Sequence, residues 1–291
     1  MKPSAFTYHR PESAPDALAL LGELGSDGKV LAGGQSLVPL LNMRLAAPGH
    51  LVDINRLSTL SYVRCEAGAV RVGALARHVT VECDAPAYAV LPLLRQATTQ
   101  VAHPAIRNRG TTVGSLVHAD PAAELPAVLT LVDGWVSVAS VSGTRDIPAG
   151  EFFVGPLESA VRPGELAVEA TFPLPPASTG SAWLEVSRRR GDYAVCGAGV
   201  LVTLDGDGRV ARARAVYVSV GPTPTPVELT DAVTGQPWDR ADWAGAAALA
   251  RSAVQPDDDI HATAGYRRHL VGVLTARAGQ AAAQAAAEVA P

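Results

Sequence analysis

The run from residue 29 to residue 57 narrows the fold more than any other stretch of this chain. KVLAGG (29–34) reads as a short buried strand stopped by two glycines, and SLVPLLNMRL (36–45) as a helix with Pro39 in its first turn. HLVDINRL (50–57) reads as a second strand with Asp53 and Asn55 at its end. Just before this run, SAPDALALLGELG (13–25) offers Ser13 or Asp16 as a helix cap, leucines at 18, 20, 21 and 24, and Gly25 as a stop. Helix, strand, glycine turn, helix, strand is a small α/β unit. The unit leaves one thing unexplained, which is why the turn needs two glycines.

Beyond residue 58 the pattern changes. AVRVGAL (69–75) and GWVSVASV (134–141) alternate like strands, while PLLRQATTQVA (92–102) and DPAAELPAVLTLV (120–132) read as helices. LAVEATFPLPPASTG (166–180) gives a strand and then a Pro/Gly/Ser linker, which marks a domain boundary. After it, 182–204 and 209–221 read as strands joined by the hairpin turn Asp205-Gly206-Asp207-Gly208, and DWAGAAALARSAV (242–254) as a helix. The Ala-rich stretch 276–290 reads as a helix with little to bury, frayed at its end. The whole is of the α+β class, with no internal repeat.

With 291 residues the chain has room for two domains, and 48% hydrophobic against 18% charged residues suits buried cores. A net charge of −4 gives no footing for nucleic acid, and Arg188-Arg189-Arg190 is read as a local anion contact or solvated charge. Cys65, Cys83 and Cys196 are too few and too scattered for a disulfide framework or an iron–sulfur cluster. No signal peptide and no run of about 20 apolar residues is present, so a soluble, cytoplasmic protein without membrane insertion is expected.

At the end of a strand, free backbone N–H groups beside a helix start favour an anion, and Gly33 and Gly34 would let a diphosphate approach with no Cβ in the way. Gln35 and Ser36 add hydrogen-bonding side chains. Neither the GxGxxG pattern nor a Walker loop is present, so any nucleotide is held in another manner. HPAIRNRGTTVGSLVHADPAAELP (103–126) is a second stretch of small and hydroxyl residues, and two such loops suit the long body of a dinucleotide. His118 and Asp120, two apart, read as a loop hydrogen-bond network, because no nucleophile elbow accompanies them. His118, Asp120 and Glu124 lack a second histidine partner, so no metal site is assigned.

AGGQSL with PLLNMRL and VDINRL, then the 103–126 stretch, then RRRGDYA, resemble the FAD-binding (medium) subunit of the molybdenum hydroxylases, the xanthine dehydrogenase and aerobic carbon monoxide dehydrogenase type. The resemblance implies a two-part FAD-binding domain over 1–176, a small α/β unit (about 1–57) followed by a mixed sheet with helices (58–176). A C-terminal flavoprotein domain of antiparallel sheet and helices would cover 181–285, leaving 286–291 as a tail. It implies a first FAD contact strip of Lys29, Val30, Leu31, Ala32, Gly33, Gly34, Gln35, Ser36 and Leu37. The second would be Ala102, Ile106, Gly110, Thr111, Gly114, Ser115 and His118. Asp120 or Glu124 would serve the ribityl or adenosine hydroxyls, and Ala167 and Tyr193 would lie near the flavin ring. The family usually has Thr-Ile-Gly-Gly in the second loop; here Val113 replaces the first glycine, which puts backbone contacts at 112–113 in doubt.

The resemblance further implies an electron-transfer role in an oxidoreductase, a carbon monoxide, N-heterocycle or aldehyde dehydrogenase. Partners would be a molybdopterin-containing large subunit and a small subunit with [2Fe–2S] clusters, assembled as a dimer of heterotrimers, with an external electron acceptor. No acid–base catalyst is assigned to this chain. Two alternatives stay open. One is a self-contained FAD-dependent reductase of related fold, the peptidoglycan-precursor reductase type, and the other a scaffold that has lost its flavin through Val113.

Overall fold

The structure is a computed structural model and describes residues 2–289. The α/β unit forms a three-stranded parallel sheet in the order β1-β3-β2, from β1 (Thr7–His9), β2 (Gly28–Leu31) and β3 (His50–Asp53). β1 carries no sequence signal: it is three residues long and largely exposed, and its pairing with β3 decides it. The helix Ala14–Leu24 is capped by Ser13, whose hydroxyl accepts from the Asp16 N–H, and Gly25 closes it at φ 54°. Between β2 and β3 runs the helix Leu37–Met43.

The second layer is a five-stranded antiparallel sheet. It uses β4 (Val63–Glu66), β5 (Ala69–Gly73), β6 (Trp135–Ser140) and β7 (Gly143–Pro148), and, after the ribbon β8 (Phe153–Gly155) and β9 (Glu158–Ser159), β10 (Leu166–Pro173). β10 lies at its centre, in the order β4-β5-β10-β6-β7. The third sheet, order β11-β12-β13-β14, is antiparallel: β11 (Thr179–Ser187), β12 (Ala194–Leu204), β13 (Val210–Val218) and β14 (Thr225–Glu228). The expected hairpin joins β12 to β13, with Gly208 at φ 71° and the Asp205 carboxylate accepting from Asp207 N–H and Arg209 N–H.

β12, AVCGAGVLVTL, is apolar at almost every position because its sheet is covered on both faces. Trp183, Leu201, Val216 and Val218 pack into the core of the first 173 residues, whereas Val200, Val202, Ala215 and Tyr217 pack against C-terminal helices. A polar tie crosses the same junction: Arg214 on β13 donates to Leu131 O and to both oxygens of Asp133.

The Ala-rich tail departs from expectation. The helix Ala264–Val289 buries Ala278, Ala282, Ala283 and Ala286 completely, so the expected tail begins inside a packed helix. Its small side chains are what let it close on the sheet. A Cβ on Gly180 would lie 2.1 Å from Ala282 O and 2.2 Å from Ala286 N, a helix-to-strand approach that only glycine permits. The fraying expected at residue 290 lies outside the described residues. Among the described residues no helix is long and apolar enough to cross a membrane, and no cluster of His, Cys, Asp and Glu could hold a metal ion.

Candidate functional site

β2 ends at Leu31 and the chain turns through Ala32–Ser36 before the helix Leu37–Met43, at the carboxyl end of a parallel strand, where α/β sheets commonly bind ligands. The two glycines answer different needs. Gly34 stands at φ 75°, a backbone conformation that a side chain resists. Gly33 is bare for another reason: a Cβ there would sit 2.5 Å from Arg109 O and 2.8 Å from Gly110 Cα. The side of Gly33 where a Cβ would point is therefore taken by the second glycine segment, while Gly33 itself lines the cavity. What the turn still offers is main-chain donors. Among the described residues no protein acceptor meets the N–H groups of Gly34, Gln35 and Ser36, while the Gln35 side chain bonds locally to Gly33 O.

The second segment, expected as a loop, is in part a helix, Thr112–His118. Thr111 caps it, its hydroxyl accepting from Gly114 N–H at 3.2 Å, and Ala119 ends it in the left-handed conformation at φ 52°. Val113 thus stands within the helix, 2% exposed and part of the core, where a β-branched residue adopts helical angles at small cost. It distorts nothing. The segment is pinned from behind by residues 76–78: His78 N–H donates to Gly110 O at 2.9 Å and Thr112 N–H to Ala76 O at 3.2 Å.

Residues of both segments line one cavity of about 470 Å³, within the range of small-molecule sites. Every residue expected to contact a cofactor lines it except Leu31. Leu31 belongs to the sheet: its carbonyl accepts from Ile54 N–H, and its side chain tucks under the turn, 3.3 Å from where a Gly34 Cβ would be. His78, Leu157 and Glu165 line the cavity without having been read from the sequence, because each sits in an element that only the fold carries to this place, and Val101 and Asp192 line it beside residues that were read. Asp192 was within reach, one residue from Tyr193 in RRRGDYA. The arginines of that motif are exposed, and Arg189 pairs with Asp192 at 3.1 Å.

Electrostatically the site is uneven. Glu124, the first residue of the helix Glu124–Leu131, is 8% exposed, and its carboxyl has no hydrogen-bond partner among the described side chains. Burial, helped by Glu185 and Asp120, pushes it up to about 8, so at neutral pH it is a neutral acid that can donate. His118 is lowered by burial, with Asp120 opposing, and His78 is driven down to about 4, chiefly by burial. Tyr193 leaves 72% of its surface uncovered on the cavity wall, an aromatic face that a planar group would shield. Free turn N–H groups, a buried acid with no side-chain partner and an open aromatic ring fit the polar and planar parts of a flavin dinucleotide.

That chemistry defines a flavin-binding protein. Residues 4–175 match the family described as the FAD binding domain in molybdopterin dehydrogenase, and residues 181–282 match the carbon monoxide dehydrogenase flavoprotein C-terminal domain. The chain is 42% identical over 278 residues to the 6-hydroxypseudooxynicotine dehydrogenase complex subunit alpha of Paenarthrobacter nicotinovorans, covering 95% of this chain and 94% of that one. It is 40% identical over 280 residues to the caffeine dehydrogenase subunit beta of Pseudomonas sp. (strain CBB1), covering 96% and 95%. Among solved structures, carbon monoxide dehydrogenase from Hydrogenophaga pseudoflava superposes with a TM-score of 0.91 at 36% identity, covering 97% of this chain and 98% of that one. Quinoline 2-oxidoreductase from Pseudomonas putida 86 gives 0.93 at 34% identity, covering 98% and 99%. The chain belongs to the FAD-binding subunits of the molybdenum hydroxylases, of the carbon monoxide dehydrogenase medium-chain type, and FAD is its cofactor.

Proposed function

We propose that this chain is the electron outlet of a molybdopterin-dependent dehydrogenase, taking electrons from the [2Fe–2S] clusters of a small subunit and passing them to an external acceptor. The observation that carries this is the single cavity walled by both glycine segments, Glu124, Ala167 and Tyr193, in a chain whose relatives are named as subunits of dehydrogenases. When bound, FAD accepts electrons singly or in pairs and releases them in either way, which suits it to a position between a one-electron cluster and varied acceptors.

The protein's own part is to hold and shield. The N–H groups of Gly34, Gln35 and Ser36 would receive the diphosphate, with Lys29 supplying positive charge on the same wall. Glu124, as a neutral acid, would donate a hydrogen bond without bringing a second negative charge to the anion. Tyr193 would cover one face of the ring, and Val113, Ile54 and Leu166 supply apolar wall. No side chain here is required to break a substrate bond. Substrate choice then belongs to the large subunit, and the assembly is a dimer of heterotrimers in the cytoplasm, where the free thiols Cys65 and Cys83 stay reduced.

Co-expression with the neighbouring reading frames tests this. One copurifying complex with stoichiometric FAD, iron–sulfur absorbance and molybdenum is the expected result. FAD on a lone chain that oxidises NADPH and reduces a small molecule by itself would refute it in favour of a self-contained reductase.

A further inference from the structure

Gly33 and Arg109 touch because something holds them there. The carbonyl of Arg109 occupies the space left by the missing Cβ of Gly33, and the same carbonyl accepts from Nη1 of Arg77 at 2.5 Å. The other arm of that guanidinium, Nη2, donates to Asn55 Oδ1 at 2.6 Å. Asn55 in turn donates through Nδ2 to Ala32 O, the residue that opens the first turn, at 2.9 Å. An unbroken chain of hydrogen bonds therefore runs from the first glycine turn to the second: Ala32, Asn55, Arg77, Arg109.

Its far end is anchored in the parallel sheet. Asp53, 8% exposed at the end of β3, accepts from the Asn55 backbone N–H at 2.8 Å and from Asn55 Nδ2 at 2.6 Å, and it also accepts from the Tyr8 hydroxyl on β1. Burial acts to raise the Asp53 pKa, but the bonds from Tyr8 and Asn55 outweigh it and keep the carboxylate charged. Arg77 is fixed at its backbone as well, by a bridge to Thr111, the cap of the second segment's helix. Neither Asn55 nor Arg77 lines the cavity.

We propose that Asn55 and Arg77 are positioning residues for the flavin: by clamping the carbonyls of Ala32 and Arg109 they fix the separation of the two glycine segments, and so set how tightly the dinucleotide binds. This rests on the flavin reading above. A ligand that must touch both segments at hydrogen-bond distance is sensitive to shifts of well under 1 Å, and residues that orient binding groups from behind carry about 10–100-fold in affinity in the comparable case of metal sites. The planar guanidinium suits the task, because its two arms reach two acceptors at a fixed angle; an ammonium does not.

FAD titrations of the full-length apo chain, wild type against Arg77→Ala, Arg77→Lys and Asn55→Ala, test the clamp, with urea unfolding of each apo chain measured alongside. The expected result is a FAD Kd raised by about 10-fold or more in Arg77→Ala and Asn55→Ala, with apo chains that unfold close to the wild-type midpoint. Arg77→Lys stays weak. A role confined to the scaffold gives the reverse split, a lower apo midpoint with wild-type Kd for the folded fraction, and that outcome overturns the inference. Wild-type affinity in Arg77→Lys overturns the two-acceptor geometry. Should Arg77→Ala fail to fold, Asn55→Ala still decides, since it cuts the chain at another link. A wild-type chain that binds no FAD under the same conditions sinks the flavin reading itself, and this inference with it.

Discussion

Glu124→Gln should flatten the pH dependence of this protein's stability. In the fold the carboxyl titrates at about 8, against an ordinary value of 4.5, because it is buried at the cavity wall with Glu185 and Asp120 nearby. Between those values the folded chain holds a proton that the unfolded chain has lost, so stability falls as pH rises from 4.5 towards 8 and levels off above it. At pH 7 the interval above 4.5 is roughly 2.5 pH units, which at about 1.4 kcal/mol each costs the fold about 3 kcal/mol. Glutamine keeps the shape and cannot ionise, so the variant is free of that cost at every pH. It carries a constant penalty of about 1–3 kcal/mol if its amide finds no partner, so the slope and not the offset is diagnostic. Urea unfolding of the apo chain, followed by circular dichroism from pH 5 to pH 9, reads it directly. The variant should gain on the wild type steadily up to pH 8 and run parallel above it. A constant difference across pH 5–8 would refute the assignment of a neutral Glu124.

Other substitutions separate the roles of the glycines and of Val113. Gly33→Ala drives a Cβ into the backbone of Arg109 and Gly110 and should cost about 2–3 kcal/mol together with most FAD binding, whereas Gly34→Ala, strained by its φ of 75° and crowded only by the Val38 and Leu31 side chains at 3.2 and 3.3 Å, should cost about 1–2 kcal/mol; urea midpoints and FAD titration measure both. Val113→Gly, which restores the family's usual residue, should lose about 2–4 kcal/mol of stability by emptying a core position and loosening a helix, and FAD affinity measured by fluorescence should not improve. Arg267→Ala should be among the most damaging changes outside the site, about 3–5 kcal/mol by chemical denaturation. It would leave Asp259 without its partner and strip hydrogen bonds from Val195 O, Asp257 O and Ala262 O.

The glycine pair shows how far one-dimensional reading reaches. Gly34 was legible as a turn residue, since positive φ is a local demand. Gly33 was not, because what excludes its side chain is Arg109, 76 positions away in the chain. Val113 teaches the same lesson in reverse: set against a family pattern it looked like a defect, and in the fold it is an ordinary core residue of a short helix. The Ala-rich tail looked as if it had nothing to bury because hydrophobic mass was the only signal available. Its function depends on small size, which shows only when Gly180 is placed beneath it.

The sequence alone therefore determined what is local or carried by motif: the α/β opening, the alternating strands, the hairpin at 205–208, the α+β class, and two glycine segments whose named residues, Leu31 apart, line one cavity. Tertiary structure decided the rest. It brought His78, Leu157 and Glu165 to the cavity wall, gave Glu124 its proton by burial, and joined Asn55 to Arg77 behind the two turns. Periodicity and turn chemistry act over a few residues, whereas burial and hydrogen bonding between distant segments depend on which surfaces meet, and only the folded chain settles that.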